Sequence, residues 1–131
     1  MTRTTETTQT VIDRYITLFD RTAHDPAAVE EYRSIFATDA TVQLAEEMEP
    51  VTGLPAIMEV YRGMAAAMAD SKHLWDTTVL DDGRIECHWV NITRSADGRL
   101  LAMSGIEYAT VNADGLMTNL TNRMVTPESM T

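Results

Sequence analysis

The chain has 131 residues, which is long enough for one domain to bury a hydrophobic core without disulfides or metal. Its 10 lysines and arginines against 20 aspartates and glutamates leave a formal net charge of −10, which disfavours nucleic acids and anionic membranes as partners. The single cysteine, Cys87, excludes an internal disulfide framework. The N-terminus is polar and shows no signal peptide, so we expect a cytoplasmic protein.

The N-terminal part predicts two helices joined at a polar corner. Residues 1–9 are polar and are expected to form a disordered lead-in. Apolar residues recur at helical spacing from Thr10, and this first helix should end near Thr22. Asp25 and Pro26 predict a restart, with aspartate as the N-cap and proline in the first turn. The second helix is expected to place on one face Val29, Tyr32 and Phe36.

A short strand and a third helix follow. Residues 40–44 read as a strand, and residues 46–50 form an acidic loop. Leu54 and Pro55 predict the start of the third helix. Its apolar stripe recurs at helical spacing and comprises Ile57, Tyr61, Met64 and Met68.

The second half of the chain predicts four strands, at residues 73–80, 84–94, 99–111 and 116–125. Asp-Gly pairs separate them, and Asp-Gly between apolar runs indicates a hairpin. The strands therefore predict an antiparallel meander. Helices followed by strands predict an α+β fold with the helices on one face of the sheet. We expect one domain over residues 10–126 and a frayed tail at 127–131.

The order of these elements resembles the nuclear transport factor 2-like (NTF2-like) superfamily. The most specific stretch is RYITLFDRTAHDPAAVEEYRSIFATDATV, and the resemblance covers residues 10–125. This group includes SnoaL-like polyketide cyclases, scytalone dehydratase and ketosteroid isomerases. The resemblance implies a cone-shaped fold, in which a curved, mostly antiparallel sheet wraps around three N-terminal helices. It also implies an apolar pocket inside the cone for a hydrophobic small molecule.

Asp20 and His73 are the first candidate catalytic pair. In scytalone dehydratase-like sequences an aspartate at the end of the first helix faces a histidine at the start of the first long strand. The segments FDR and SKH occupy those places here. An imidazole held by a carboxylate is a good general base, because the carboxylate fixes the tautomer and stabilises the charged form. The alternative is that Asp20 only solvates the helix end while His73 lies at a strand edge.

Tyr15 and Glu107 form a second candidate pair, by resemblance to the oxyanion-binding groups of the ketosteroid isomerases. Glu107 lies inside an apolar strand, so its pKa should rise if it faces the pocket. The general-base aspartate of those isomerases falls where this chain has Val42, Gln43 and Leu44, so steroid isomerase activity itself is not expected. The alternative for Tyr15 is a core tyrosine whose hydroxyl has a partner.

Further candidates would bind the substrate. We expect this role for Asn122, His88, Trp75, Tyr61, Met64 and Met124. The alternative for each of them is an ordinary core or structural role. Alternation does not show which face of the strand at residues 84–94 is inside, because both faces are mixed. A sheet that is apolar on both faces predicts a homodimer through the sheet. The histidines show no metal-ligand spacing and no nucleotide-binding motif is present, so neither metal nor cofactor is expected.

The sequence therefore predicts a small-molecule enzyme that uses cofactor-free acid and base chemistry. Isomerisation, dehydration, cyclisation and hydrolysis are all compatible with the candidate residues. Two alternatives stay open. One is a non-catalytic module for ligand binding or dimerisation, and the other is an accessory subunit of an oxygenase, since small subunits of ring-hydroxylating dioxygenases share this fold by resemblance.

Overall fold

The computed structural model describes residues 9–125, so most of the predicted lead-in and all of the predicted tail at 127–131 lie outside the described residues. The chain forms helix α1 (Val11–Thr22), a 3₁₀ helix (Pro26–Ser34) and helix α2 (Leu54–Ala66). The strands are β1 (Phe36–Gln43), β2 (Val51–Thr52), β3 (Met68–Val79), β4 (Ile85–Ser95), β5 (Leu100–Val111) and β6 (Met117–Val125). No helix among residues 9–125 is long and apolar enough to cross a membrane.

The six strands form one sheet in the order β2-β1-β6-β5-β4-β3. Strands β3 to β6 pair as the predicted antiparallel meander, while β1 joins β6 in parallel. The three helices pack on this sheet, and the α+β prediction is confirmed.

Several predicted boundaries were wrong. Phe36 begins β1 instead of ending the second helix, because the 3₁₀ helix stops at Ser34 and the β-branched residues beyond it pair with β6. Met68 begins β3 instead of ending α2, because it already pairs with Ser95 of β4. Strand β2 was not predicted, since two residues are too few to show alternation.

Two carboxylates hold α1 against β3, one near each end of the helix. Asp13 closes a capping box with Thr10 at the N-terminus. Its other oxygen accepts hydrogen bonds from the Trp75 indole at 2.8 Å and the Thr77 hydroxyl at 2.7 Å. Burial alone would raise the pKa of Asp13. The hydrogen bonds that its carboxylate accepts lower the pKa by more, so it lies below its usual value. Near the other end of α1, Asp20 binds β3 in the same way, as described below.

The structure decides which face of β4 is inside. The odd-numbered residues face the helices and are buried, namely Ile85, Cys87, Trp89, Asn91 and Thr93. The even-numbered residues face outward, and among them His88, Val90 and Ile92 are exposed.

Gly105 of β5 lets the Trp89 ring lie flat against the sheet. The two residues are directly opposite across β4 and β5. A Cβ atom on Gly105 would come within 2.8 Å of both the Trp89 ring and the Arg123 carbonyl oxygen. The missing side chain therefore makes room for the indole, which then donates a 2.8 Å hydrogen bond to Asn122.

We expect Gly105→Ala to destabilise the protein by about 1–3 kcal/mol, because the new methyl group overpacks the contact with Trp89. Tryptophan fluorescence should change as the ring is displaced. Gly63→Ala is the matched control. Its Cβ would meet nothing within 4 Å in helix α2, so it should stabilise by about 0.5–1 kcal/mol. Urea denaturation of both variants measures this, and equal effects would contradict the packing account.

Candidate active site

A cavity of about 330 Å³ lies between α1 and the inner face of the sheet. Much of its wall is apolar or sulfur-bearing, including Ile16, Phe19, Leu44, Met64, Met103 and Met124. Six polar residues also line it, namely Tyr15, Glu47, His73, Asn91, Glu107 and Asn122. A mostly apolar cavity with a few polar groups is the usual form of a small-molecule site.

Asp20 and His73 are in direct contact. The Nδ1 atom of His73 lies 2.7 Å from Oδ1 of Asp20, and the His73 backbone N–H donates to Oδ2 at 2.9 Å. Because a carboxylate only accepts hydrogen bonds, Nδ1 carries the proton that it donates to Asp20. This assigns the lone pair to Nε2, which has no hydrogen-bond partner among residues 9–125 and belongs to a ring that lines the cavity.

A buried chain of hydrogen bonds supports Asp20 from behind. Thr93 donates to Oδ1 of Asn91, and Asn91 donates from Nδ2 to the Ser71 hydroxyl at 3.0 Å. Ser71 in turn donates to Oδ1 of Asp20 at 2.7 Å. Sequence reasoning missed these three residues. The register that places Asn91 opposite His73 would have been needed to find them.

Glu107 presents a carboxyl group to the cavity without a partner. The residue is 5 % exposed, and within the described part of the chain no group hydrogen-bonds to its carboxyl. Burial raises the pKa of Glu107 to about 8. At neutral pH the group is therefore mostly a neutral acid, which can donate a hydrogen bond to a ligand.

Tyr15 shares a 2.7 Å hydrogen bond with Tyr61. Burial raises the pKa of both hydroxyls well above the usual value, so both keep their protons. Tyr61 is 1 % exposed and has no other hydrogen-bond partner among the described residues, and either hydroxyl can be the donor in this pair. Tyr15 lines the cavity, and when Tyr61 is the donor in the pair, the Tyr15 hydroxyl can donate its own proton to a ligand.

Asn122 lines the cavity, but its amide is already occupied. Its Oδ1 accepts from Trp89, and its Nδ2 donates to the Leu44 carbonyl at 3.0 Å and to Sδ of Met124 at 3.1 Å. The amide has two N–H groups, so none is left for an oxyanion. The geometry gives Asn122 the role of joining β6, β4 and the end of β1, and leaves its amide no free N–H for the substrate-binding role expected from the sequence.

The remaining predicted binding residues divide into two groups. Met64 and Met124 line the cavity, as expected. Three others lie outside it. Tyr61 is buried behind Tyr15, Trp75 turns its indole nitrogen to Asp13, and His88 lies on the outer face of the sheet 3.3 Å from Glu86.

The register shows how the free groups are arranged. His73 on β3 is opposite Asn91, and Glu107 on β5 is opposite Cys87. Trp89 on β4 lies midway on the diagonal between them, one inward-facing position from each. Its ring is 5.6 Å from the His73 ring. The indole therefore separates the candidate base from the candidate acid.

No group of three or more His, Cys, Asp or Glu side chains within residues 9–125 is arranged to hold a metal ion. Nε2 of His73 can accept a proton, and the neutral Glu107 can donate a hydrogen bond.

Comparison with solved structures places the chain among NTF2-like folds. An NTF2-like protein of unknown function from Exiguobacterium sp. 255-15 is 30% identical, with 88% of this chain and 98% of that chain covered and a TM-score of 0.78. A candidate polyketide cyclase from Xanthomonas campestris pv. campestris is 17% identical, with 86% of each chain covered and a TM-score of 0.69. A candidate scytalone dehydratase from Novosphingobium aromaticivorans DSM 12444 is 18% identical, with 88% of this chain and 80% of that chain covered and a TM-score of 0.72.

A search among curated protein sequences gives no significant match. The model of the SnoaL-like domain family matches residues 5–111, which is most of the chain. The match includes helix α1, which carries Asp20, the 3₁₀ helix, helix α2, and the strands β3 and β5, which carry His73 and Glu107. The chain therefore belongs to the SnoaL-like domain family and has its NTF2-like fold.

Proposed function

We propose that this protein is an enzyme that transfers protons on an uncharged, hydrophobic carbonyl compound bound in the cavity, without a cofactor. One observation carries the proposal. Nδ1 of His73 is held by Asp20, which leaves Nε2 as a base on the wall of an apolar cavity.

The proposed reaction begins when Nε2 of His73 removes a proton from carbon next to the carbonyl group. Asp20 stabilises the imidazolium that forms, because it already accepts the Nδ1 proton. The electron pair moves onto the carbonyl oxygen, where neutral Glu107 and Tyr15 donate hydrogen bonds. Return of the proton to another atom completes an isomerisation, and its transfer to a departing hydroxyl completes a dehydration.

The similar folds of a candidate polyketide cyclase and a candidate scytalone dehydratase support small-molecule chemistry of this kind. This similarity does not distinguish among isomerisation, dehydration, cyclisation and hydrolysis. The alternatives are a non-catalytic ligand-binding or dimerisation module and an accessory subunit of an oxygenase. A cytoplasmic location remains a prediction from the sequence.

We also propose that a second copy of the chain covers the outer face of the sheet. This face has an open depression of about 600 Å³ and exposes Leu74, Val90, Ile92 and Val125, with Leu74 80% exposed. Lys72 and Asp76 flank Leu74 on β3. A two-fold axis across the strands at Leu74 would bring Lys72 against the partner's Asp76, so the face is complementary to itself.

The catalytic proposal predicts that the protein accelerates deuterium exchange at the methyl group of methyl naphthyl ketone in D₂O, followed by NMR. His73→Asn should reduce the enzyme-catalysed rate about a hundredfold or more, because the general base is lost. Asp20→Asn should also reduce it, since asparagine can donate to Nδ1 and so favour the wrong tautomer.

His88→Asn is the matched control, because His88 lies on the outer face, and it should exchange at the wild-type rate. Exchange that is equal in the wild type and in His73→Asn would contradict the proposal. If the ketone still bound in that case, the ligand-binding module would be favoured.

Burial of Glu107 predicts a pH-dependent stability. Its pKa rises from 4.5 to about 8 on folding, so the unfolded chain loses this proton first as the pH increases. The stability contributed by the neutral acid is full below about pH 4.5 and is lost progressively up to about pH 8. Glu107→Gln stays uncharged. We expect it to match the wild type near pH 4 and to exceed its free energy of unfolding by a few kcal/mol near pH 9.

Urea denaturation at both pH values measures this difference. Glu46→Gln, which changes an exposed glutamate, should show no such pH-dependent difference from the wild type. A Glu107→Gln effect that is the same at both pH values would show that the carboxyl is not the group that titrates.

The dimer proposal predicts that the wild type sediments with twice the mass of one chain and that Leu74→Asp sediments as a monomer. An aspartate there would bury a charge in the centre of the apolar interface. Val79→Asp changes a residue that is 61% exposed on the same strand but outside the patch, and it should remain dimeric. A monomeric wild type would contradict the proposal.

A further inference from the structure

The volume of the cavity limits the size of its ligand. At about 30 Å³ per water molecule, 330 Å³ holds about eleven waters, which corresponds to an organic molecule of roughly 10–15 non-hydrogen atoms. A two-ring compound fits within this range. A four-ring skeleton would have to extend out between Met48 and Met124 at the exposed edge.

The charges around the cavity are of one sign. Within the part of the chain that the structure describes, the exposed Glu47 lines the cavity, the buried Glu107 lines it as a mostly neutral acid, and no lysine or arginine lines it. Glu46 and Glu49 lie beside Glu47 in the same exposed loop. Among the described residues that line the cavity, only His73 can become a cation, and Asp20 already accepts the hydrogen bond of its Nδ1. An anionic ligand would lose its hydration without gaining a free counter-charge, so the cavity disfavours it.

The wall between the acid and the base is flat. The Trp89 ring lies on the diagonal between His73 and Glu107 and packs where a Gly105 side chain would otherwise be. Its N–H is bound to Asn122, which fixes the plane of the ring. A ligand that reaches both His73 and Glu107 must cross this surface, and a planar ring system gains the most contact there.

These three constraints deepen the function proposed above. We propose that the cavity selects a free, uncharged, planar two-ring carbonyl compound, and that it rejects carboxylates and phosphate-bearing thioesters. The carbonyl oxygen lies at Glu107, and the ring that carries the reacting carbon stacks on Trp89 with its edge toward His73. The reaction that supplies such a substrate must release it as a free molecule and not leave it attached to a phosphate-bearing carrier.

Binding of matched probes at neutral pH tests the inference, with affinities measured by calorimetry on the wild-type protein. Methyl naphthyl ketone and naphthoate have the same number of non-hydrogen atoms and differ in charge. Methyl decalinyl ketone keeps the carbonyl but replaces the flat rings by puckered ones. We expect the aromatic ketone to bind at least tenfold more tightly than naphthoate and several-fold more tightly than the puckered ketone. Androstenedione and acetoacetyl-coenzyme A should bind more weakly than the aromatic ketone.

Naphthoate binding as tight as the aromatic ketone would overturn the charge argument, and an equal affinity for the puckered ketone would overturn the role of Trp89. Androstenedione binding as tight as the two-ring ketone would overturn the size limit. In Glu47→Gln, which removes one negative charge from the cavity wall, the preference for the ketone over naphthoate should shrink, and an unchanged preference would contradict the charge argument.

The test also separates this inference from the catalytic proposal on which it rests, because binding requires no turnover. Selective binding of the aromatic ketone without deuterium exchange would overturn the catalytic proposal alone. Exchange of the ketone together with equal binding of naphthoate would overturn the ligand class alone.

Discussion

The attachment of helix α1 to strand β3 by two aspartates is the interaction on which the site depends. Asp13 and Asp20 are seven residues apart, which is about two turns or 10 Å of helix, so both carboxylates face the same strand. Each accepts hydrogen bonds from a pair of inward-facing β3 side chains. Tyr15 lies between the two anchors and is thereby held at the cavity wall. Asp20 also orients His73, so the same contact attaches α1 to β3 and positions the proposed base.

The cavity is notable for how few of its polar groups are free. The side-chain amides of Asn91 and Asn122 donate hydrogen bonds to neighbouring parts of the sheet. These bonds satisfy buried polar groups and make the inner face of the sheet rigid. Among the described residues that line the cavity, the other polar groups are Nε2 of His73, the carboxyl of Glu107, the Tyr15 hydroxyl paired with Tyr61, and the exposed Glu47. A base and a neutral acid on opposite sides of Trp89, with a tyrosine hydroxyl lining the same cavity, are the parts that enolisation of a carbonyl compound requires.

Local signals predicted the helices and the Asp-Gly hairpins, because capping residues and turns act over a few positions. The family resemblance predicted the contact between Asp20 and His73, which no periodicity could give. The register of the strands could not be predicted from local sequence, since it depends on pairing between distant segments. The sequence therefore could not place Asn91 opposite His73. For the same reason it could not show that His88 faces outward, because both faces of β4 carry apolar residues.

The proposed chemistry depends on Asp20 holding His73 as the tautomer with its proton on Nδ1 and its lone pair on Nε2. Nitrogen-15 NMR of the histidine ring at neutral pH observes this directly, because protonated and unprotonated ring nitrogens have distinct chemical shifts. We expect a protonated Nδ1 and an unprotonated Nε2 in the wild type, and we expect Asp20→Asn to lose this preference. A wild-type ring that carries its proton on Nε2 would contradict the account, since no base would then face the ligand.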